Sequence, residues 1–246
     1  MKRNKGYRRG YLVALLVGFE DDHAVLWQIF RHVVKLNLTL ELGGKRTDAK
    51  VLYNFHESVV DALRPVLKEG VRSIVVTAPM KTTYAADFLN HVQKHHRYLT
   101  QSKGSNRATF AELVGSADQP HKVAELAKTK EFSKLITETT SEEIDHIVNT
   151  LDKHLYSKGS DAVVQYSLKE IEDIVYDRER HSAFRTEYLM LTDKYLADSK
   201  DKNRIHSLLQ ISKNRKVKTR IVNAETPAGK RINQFGGIVF LTLPTK

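Results

Sequence analysis

Gly43-Gly44-Lys45-Arg46 sets two glycines ahead of two cations in a stretch without an apolar anchor, a flexible loop suited to meeting phosphate. Cations of the same kind gather in three further places. Lys2, Arg3, Lys5, Arg8 and Arg9 open the chain. No acid interrupts Asn90 to Ala111, which holds Lys94, Arg97, Lys103 and Arg107, and Lys213, Arg215, Lys216, Lys218 and Arg220 form another cluster. Each is either a solvated face of a basic protein or a contact to nucleic acid, with RNA as open as DNA.

Other constellations offer less. His91 and His95 share a face of a predicted helix and could share a metal, but the residues between them are Val92, Gln93 and Lys94. With His96 and Arg97 alongside, this segment suits a phosphate-facing surface better, and no metal or other cofactor is expected. Two-metal phosphodiester cleavage needs converging carboxylates. Glu20-Asp21-Asp22 sits at a predicted hairpin tip where turn chemistry alone accounts for it, and Asp61 and Asp87 fall on helices. There is no Gly-x-Ser-x-Gly elbow, and Gly229-Lys230 lacks the glycine-rich run of a phosphate-binding loop.

The bulk composition agrees with a binding role. The 246 residues carry 40 Lys+Arg against 29 Asp+Glu, a formal net charge of +11, which favours polyanions. With 41% apolar residues the chain can bury a core, and its length suits two domains. No apolar run approaches the ~20 residues of a membrane-spanning helix. The basic N-terminus lacks a small-residue cleavage site, which argues against a signal peptide. The absence of cysteine excludes disulfides, thiol catalysis and zinc-finger chemistry, and fits a reducing compartment.

These residues need elements to position them. Tyr11–Phe19 and Ala24–Phe30 predict two strands joined at the acidic turn. Val34, Leu36, Leu38 and Leu40 alternate with polar residues, predicting a third strand with one buried and one wet face. Asp48 is placed to cap a helix bearing Leu52, Phe55, Val59, Ala62 and Val66, with Pro65 ending or kinking its last turn. A strand over 71–77, a helix from Thr82 or Thr83 to about His95, a polar loop over 100–107 and a short helix at 123–126 follow. Thr140 and Glu143 have capping-box spacing and predict a helix that opens a second domain. Beyond residue 160 the pattern predicts helix 167–176, strand 188–191, helix 205–212, strand 218–223, helix 228–235 and strand 237–243. The expected fold class is α/β in two domains, 1–132 and 133–246, the first with a mixed sheet and the second a small three-stranded α/β sandwich.

Order and spacing in the second half resemble the C-terminal domain of Pelota and the class-1 release factors of archaea and eukaryotes. The matching stretches are Tyr166–Ile171, then Tyr188-Leu189-Met190-Leu191-Thr192-Asp193, and the ending Ala228-Gly229-Lys230-Arg231-Ile232-Asn233-Gln234-Phe235-Gly236-Gly237-Ile238-Val239. The first half is similar to the middle domain. It shares the meander, the basic loop, the Phe-containing helix, Ile74–Pro79, Ser102–Ser105 and Ala127–Lys130 in that order. The resemblance implies a ribonuclease-H-like first domain and a cytoplasmic ribosome-binding factor in rescue, recycling or quality control. Its partners would be rRNA or tRNA, a translational GTPase and the ABC-type recycling ATPase, with no membrane. Two departures follow. Met1–Gly10 is too short for the family's Sm-like N-terminal domain, so reading of mRNA as in full Pelota is not expected. Release factors carry Gly-Gly-Gln just before the middle domain's long helix; at about that position this sequence has Gly43-Gly44-Lys45, and an ammonium lacks the amide's carbonyl for positioning water. The alternatives are a peptidyl-tRNA hydrolase with a diverged loop, using Gln119 or another amide, and an RNA-binding accessory protein. Gly115-Ser116-Ala117-Asp118-Gln119 has Gly-Ser-x-x-Gln spacing but follows the second helix rather than preceding the first, and is read as coincidence.

Overall fold

The computed structural model describes residues 12–30, 33–101, 107–156, 163–177 and 184–244. Two compact units result, one comprising the described residues to Pro65 and Val71–Glu143, the other Val66–Gly70 and those from Ile144 onward.

In the first unit β1 (Leu12–Phe19), β2 (His23–Phe30) and β3 (Val34–Glu41) form the antiparallel meander, and β4 (Ser73–Ala78) and β5 (Thr109–Val114) continue it in parallel. The order β3-β2-β1-β4-β5 is the expected mixed sheet. β5 is an addition to the expected strands, because the alternation in Thr-Phe-Ala-Glu-Leu-Val is short and interrupted. Helix α1 (Ala49–Lys68) follows the basic loop, and Asp48 caps it as expected: its Oδ1 accepts from the N–H groups of Lys50 at 2.8 Å and Val51 at 3.2 Å. Pro65 falls within its last turn. α2 (Tyr84–His95), α3 (Arg97–Gln101) and α4 (Pro120–Leu126) complete the connections.

One sheet face packs Ala14, Leu16, Trp27 and Val75 on Val123 and Phe132. The other meets α1 and α2 through Phe19, whose ring lies 6.0 Å from that of Phe55 and 5.1 Å from that of Phe88. β3 corrects the alternation argument: Leu36 and Leu38 remain 48% and 42% exposed. Period two shows that side chains share a face; an edge strand need not have that face covered.

α5 (Lys130–Tyr156) corrects the capping-box reading. Thr140 lies inside the helix and its hydroxyl donates back to the Ile136 carbonyl at 2.6 Å. Glu143 is buried and accepts from Ser73 Oγ at 2.5 Å.

Among the described residues the second unit holds four strands rather than three, in the order β6 (Val163–Gln165), β9 (Ile238–Pro244), β7 (Phe184–Thr192), β8 (Thr219–Val222). Three-residue β6 is too short to show a period. Tyr188, Met190, Val239 and Leu241 face one way, onto Ile147 and Leu151 of α5 and Ile232 of α9 (Pro227–Gln234). Leu189, Leu191, Ile238 and Phe240 face the other way, onto Ile171 and Val175 of α6 (Leu168–Tyr176) and Leu208 of α8 (Lys202–Asn214). The sandwich follows from this alternation. Short α7 (Asp193–Asp198) is a further addition to the expected elements.

The stretches that carry the family resemblance here are structural. Thr192 caps α7 by accepting from Tyr195 N at 3.1 Å and donates to Asn233 Oδ1 at 2.9 Å. Asp193 Oδ1 accepts from the N–H of Ala224 at 2.9 Å, tying the end of β7 to the turn after β8. A Cβ on Gly229 would lie 1.9 Å from the Asn223 carbonyl oxygen, so α9 can begin so close to that turn only with glycine there.

Candidate nucleic-acid interface

β1, β4 and β5 run parallel, so their C-terminal ends gather the hairpin tip at 20–22, the turn after Ala78 and the loop from Gly115. The loop between β3 and α1 joins them. Leu42 N donates to Asp22 O at 2.7 Å.

Arg46 fastens this assembly. Its guanidinium donates to the backbone carbonyls of Glu20 and Asp21, the latter at 2.6 Å, and lies 3.8 Å over the ring of Tyr84, whose hydroxyl donates to Asp21 Oδ1 at 3.0 Å. Burial pushes Arg46 below its usual value, while Tyr84 and the acids Asp21, Asp87 and Asp22 pull against that fall. Hydrogen bonding from His23 at 2.6 Å holds the Asp22 carboxyl below its ordinary range.

Gly43, Gly44 and Lys45 are exposed. An added Cβ on Gly43 would meet nothing within 4 Å, whereas one on Gly44 would lie 3.2 Å from a Val51 methyl. The loop is thus anchored at Arg46 and Asp48 and presents its other cation, Lys45, outward.

On the neighbouring loop, Ser116 Oγ lies 2.5 Å from Glu20 Oε1 and 2.8 Å from Asp118 Oδ1, and Lys122 Nζ lies 2.9 Å from the same Asp118 oxygen. Burial alone would raise the Asp118 carboxyl, but the hydrogen bonds from Lys122 and Ser116 outweigh it and hold it low. Gln119 is exposed immediately before α4.

The remaining predicted contacts separate into outward and engaged groups. Lys94 and Arg97 are exposed near the end of α2, and Arg107 is exposed with a guanidinium nitrogen 3.6 Å from Glu142. In the third cluster Lys213 and Lys216 are exposed, but Arg215 donates to the carbonyls of Tyr176 and Asp177 at 2.8 and 2.9 Å. Lys218 lies 5.1 Å over the Tyr188 ring, and Arg220 is buried in β8. Lys2, Arg3, Lys5, Arg8, Arg9 and Lys103 fall outside the described residues.

The structure groups the histidines differently from the helical spacing argument. His95 is exposed, while His91 and His96 are buried and both approach Glu57 of α1. Their Nε2 atoms lie 3.0 and 2.8 Å from one oxygen, Glu57 Oε1. His56 is buried beside them among Phe19, Phe55 and Phe88, and burial first, then His91 and Arg46, lowers it to about 4. Glu57 precedes His91 by 34 residues, so no local spacing could have joined them.

No family model matches the chain. The likeness is to Pelota. The chain is 23% identical over 230 residues to the Pelota homologue of Pyrococcus abyssi (strain GE5 / Orsay), covering 91% of this chain and 59% of that protein. It is similar to ribosome-bound archaeal Pelota, solved with ABCE1, at a TM-score of 0.54 and 16% identity, covering 100% of this chain and 64% of that one. Against S. cerevisiae Dom34, a translation termination-like factor involved in RNA quality control pathways and interacting with Hbs1, the TM-score is 0.50 at 17% identity, covering 99% and 66%. The expected Pelota resemblance and α/β fold class therefore hold, and the chain spans about three-fifths of the curated relative's length. Among the described residues, no helix is long and apolar enough to cross a membrane.

Proposed function

We propose that this chain is a cytoplasmic ribosome-binding factor in rescue or recycling that acts without hydrolysing peptidyl-tRNA. Sequence similarity to Pelota across 91% of the chain is the observation that carries this reading. The loop supports the absence of hydrolysis: at about the place where release factors carry their glutamine, this sequence has Lys45, a donor without an acceptor. In this reading Gly43, Gly44 and Lys45 face rRNA or tRNA phosphates, with Lys94, Arg97, Arg107, Lys213 and Lys216 adding outward charge and Arg46 holding the loop in place.

The partners proposed by likeness are a translational GTPase and the ABC-type recycling ATPase, since the related structures are of Dom34, which interacts with Hbs1, and of Pelota with ABCE1. The test is peptide release from purified ribosomes carrying labelled peptidyl-tRNA, with sedimentation of the protein in the same tubes. Co-sedimentation without release is expected. Release would make the protein a hydrolase, and the absence of co-sedimentation would remove the ribosomal role.

A further inference from the structure

We propose that Glu57, His91 and His96 form a Zn²⁺ site fastening α1 to the junction of α2 and α3. The donors are two imidazole nitrogens and one carboxylate oxygen, which suits Zn²⁺ and disfavours Mg²⁺, an ion that prefers oxygen. All three candidate ligand atoms lie within 4.8 Å of one another. Donors at the ~2.0–2.1 Å distances of a tetrahedral zinc site stand about 3.3 Å apart. The observed Nε2 to Oε1 separations of 3.0 and 2.8 Å need open by only a few tenths of an ångström.

Burial supports the same assignment. The imidazoles of His91 and His96 are 6% and 7% exposed, whereas the Glu57 side chain is 28% exposed. The site is thus closed on the histidine side and open to solvent at the carboxylate, where a water would complete the coordination. The ring of exposed His95 lies 4.9 Å from that of His91 and borders the opening without joining the ligand set. In the metal-bound form both imidazoles carry their proton on Nδ1, and Nε2 lone pairs face the ion in place of Glu57. The competing arrangement is a metal-free one in which the carboxylate accepts a hydrogen bond from each ring.

The assignment is independent of the ribosomal reading and is tested by titrating untagged, chelator-stripped protein with Zn²⁺ alone, followed calorimetrically. One equivalent at a Kd of about 1 µM or tighter is expected, with thermal stability rising with Zn²⁺ concentration. His91→Ala and His96→Ala should each weaken binding at least ~100-fold, and Glu57→Gln, which keeps the side-chain volume, at least ~10-fold. His95→Ala should leave the affinity within about twofold. Visible absorption of bound Co²⁺ on the unsubstituted chain checks the tetrahedral geometry without any variant. Failure to bind Zn²⁺ stoichiometrically, equal binding of Mg²⁺, or unchanged affinity in the His91→Ala/His96→Ala double variant would each overturn the proposal.

Discussion

Lys45 and Arg46 are adjacent cations with opposite assignments. The Arg46 guanidinium is consumed by two carbonyls and an aromatic face, and its truncation should cost roughly 1–3 kcal/mol of stability, read as a lower urea midpoint. Lys45→Ala should leave the midpoint unchanged and instead lower the salt dependence of ribosome co-sedimentation, by ~0.7–0.9 in log–log slope if the lysine neutralises a single phosphate. An unchanged slope would remove Lys45 from the interface. Sequence shows both as cations beside two glycines; only the fold, which brings Glu20, Asp21 and Tyr84 to one of them, tells anchor from contact. Asp118 makes a pH prediction. Its folded-state value is depressed below 3.8, so its stabilising contribution is present above that value and lost as pH falls through the folded one. Asp118→Asn should therefore be less stable than the parent near pH 7, and the gap should close as urea denaturation is repeated below pH 3.8.

At the scale of elements, Thr140 separates two physical readings of one pattern. A helix cap replaced by alanine loses ~1 kcal/mol. Thr140 instead stands mid-helix, so Thr140→Ala should be neutral or stabilise by a few tenths of a kcal/mol in thermal denaturation. The spacing Thr-x-x-Glu is necessary for a capping box but does not require a helix to begin there. Gly229 makes the opposite case. Gly229→Ala drives Cβ to 1.9 Å from a backbone oxygen and should cost ~3 kcal/mol or more, measured as loss of the cooperative unfolding transition or of soluble expression. Longer elements are legible because they repeat their period several times. Among elements of three to six residues, β4 and β8 are legible through their β-branched residues, whereas β5, β6, α3 and α7 carry too few repeats for pattern to outweigh context.

For the whole molecule, the net charge of +11 points to a polyanionic partner but does not say which face meets it. The three-dimensional arrangement reduces the candidates by using several cations internally, Arg46, Arg215, Lys218 and Arg220 among them. It also assembles Glu57 of α1 with His91 of α2 and His96 at that helix's C-terminal cap, a grouping no linear spacing contains. Family resemblance is legible for a different reason: its residues set turns and close packing in the second unit, where alternatives are sterically excluded, and so they keep a recognisable order. Those residues report architecture, while the proposed activity turns on the loop at 43–46.

Arg46 and Asp48 fix the frame of that loop, and no side chain occupies the space beside Gly43. Frame and cargo are consequently separable. An exchange such as Lys45→Gln would set the release-factor tripeptide on an unchanged mount, a graft whose success is judged by release activity and whose failure could not be blamed on a broken scaffold if the melting temperature stays the same.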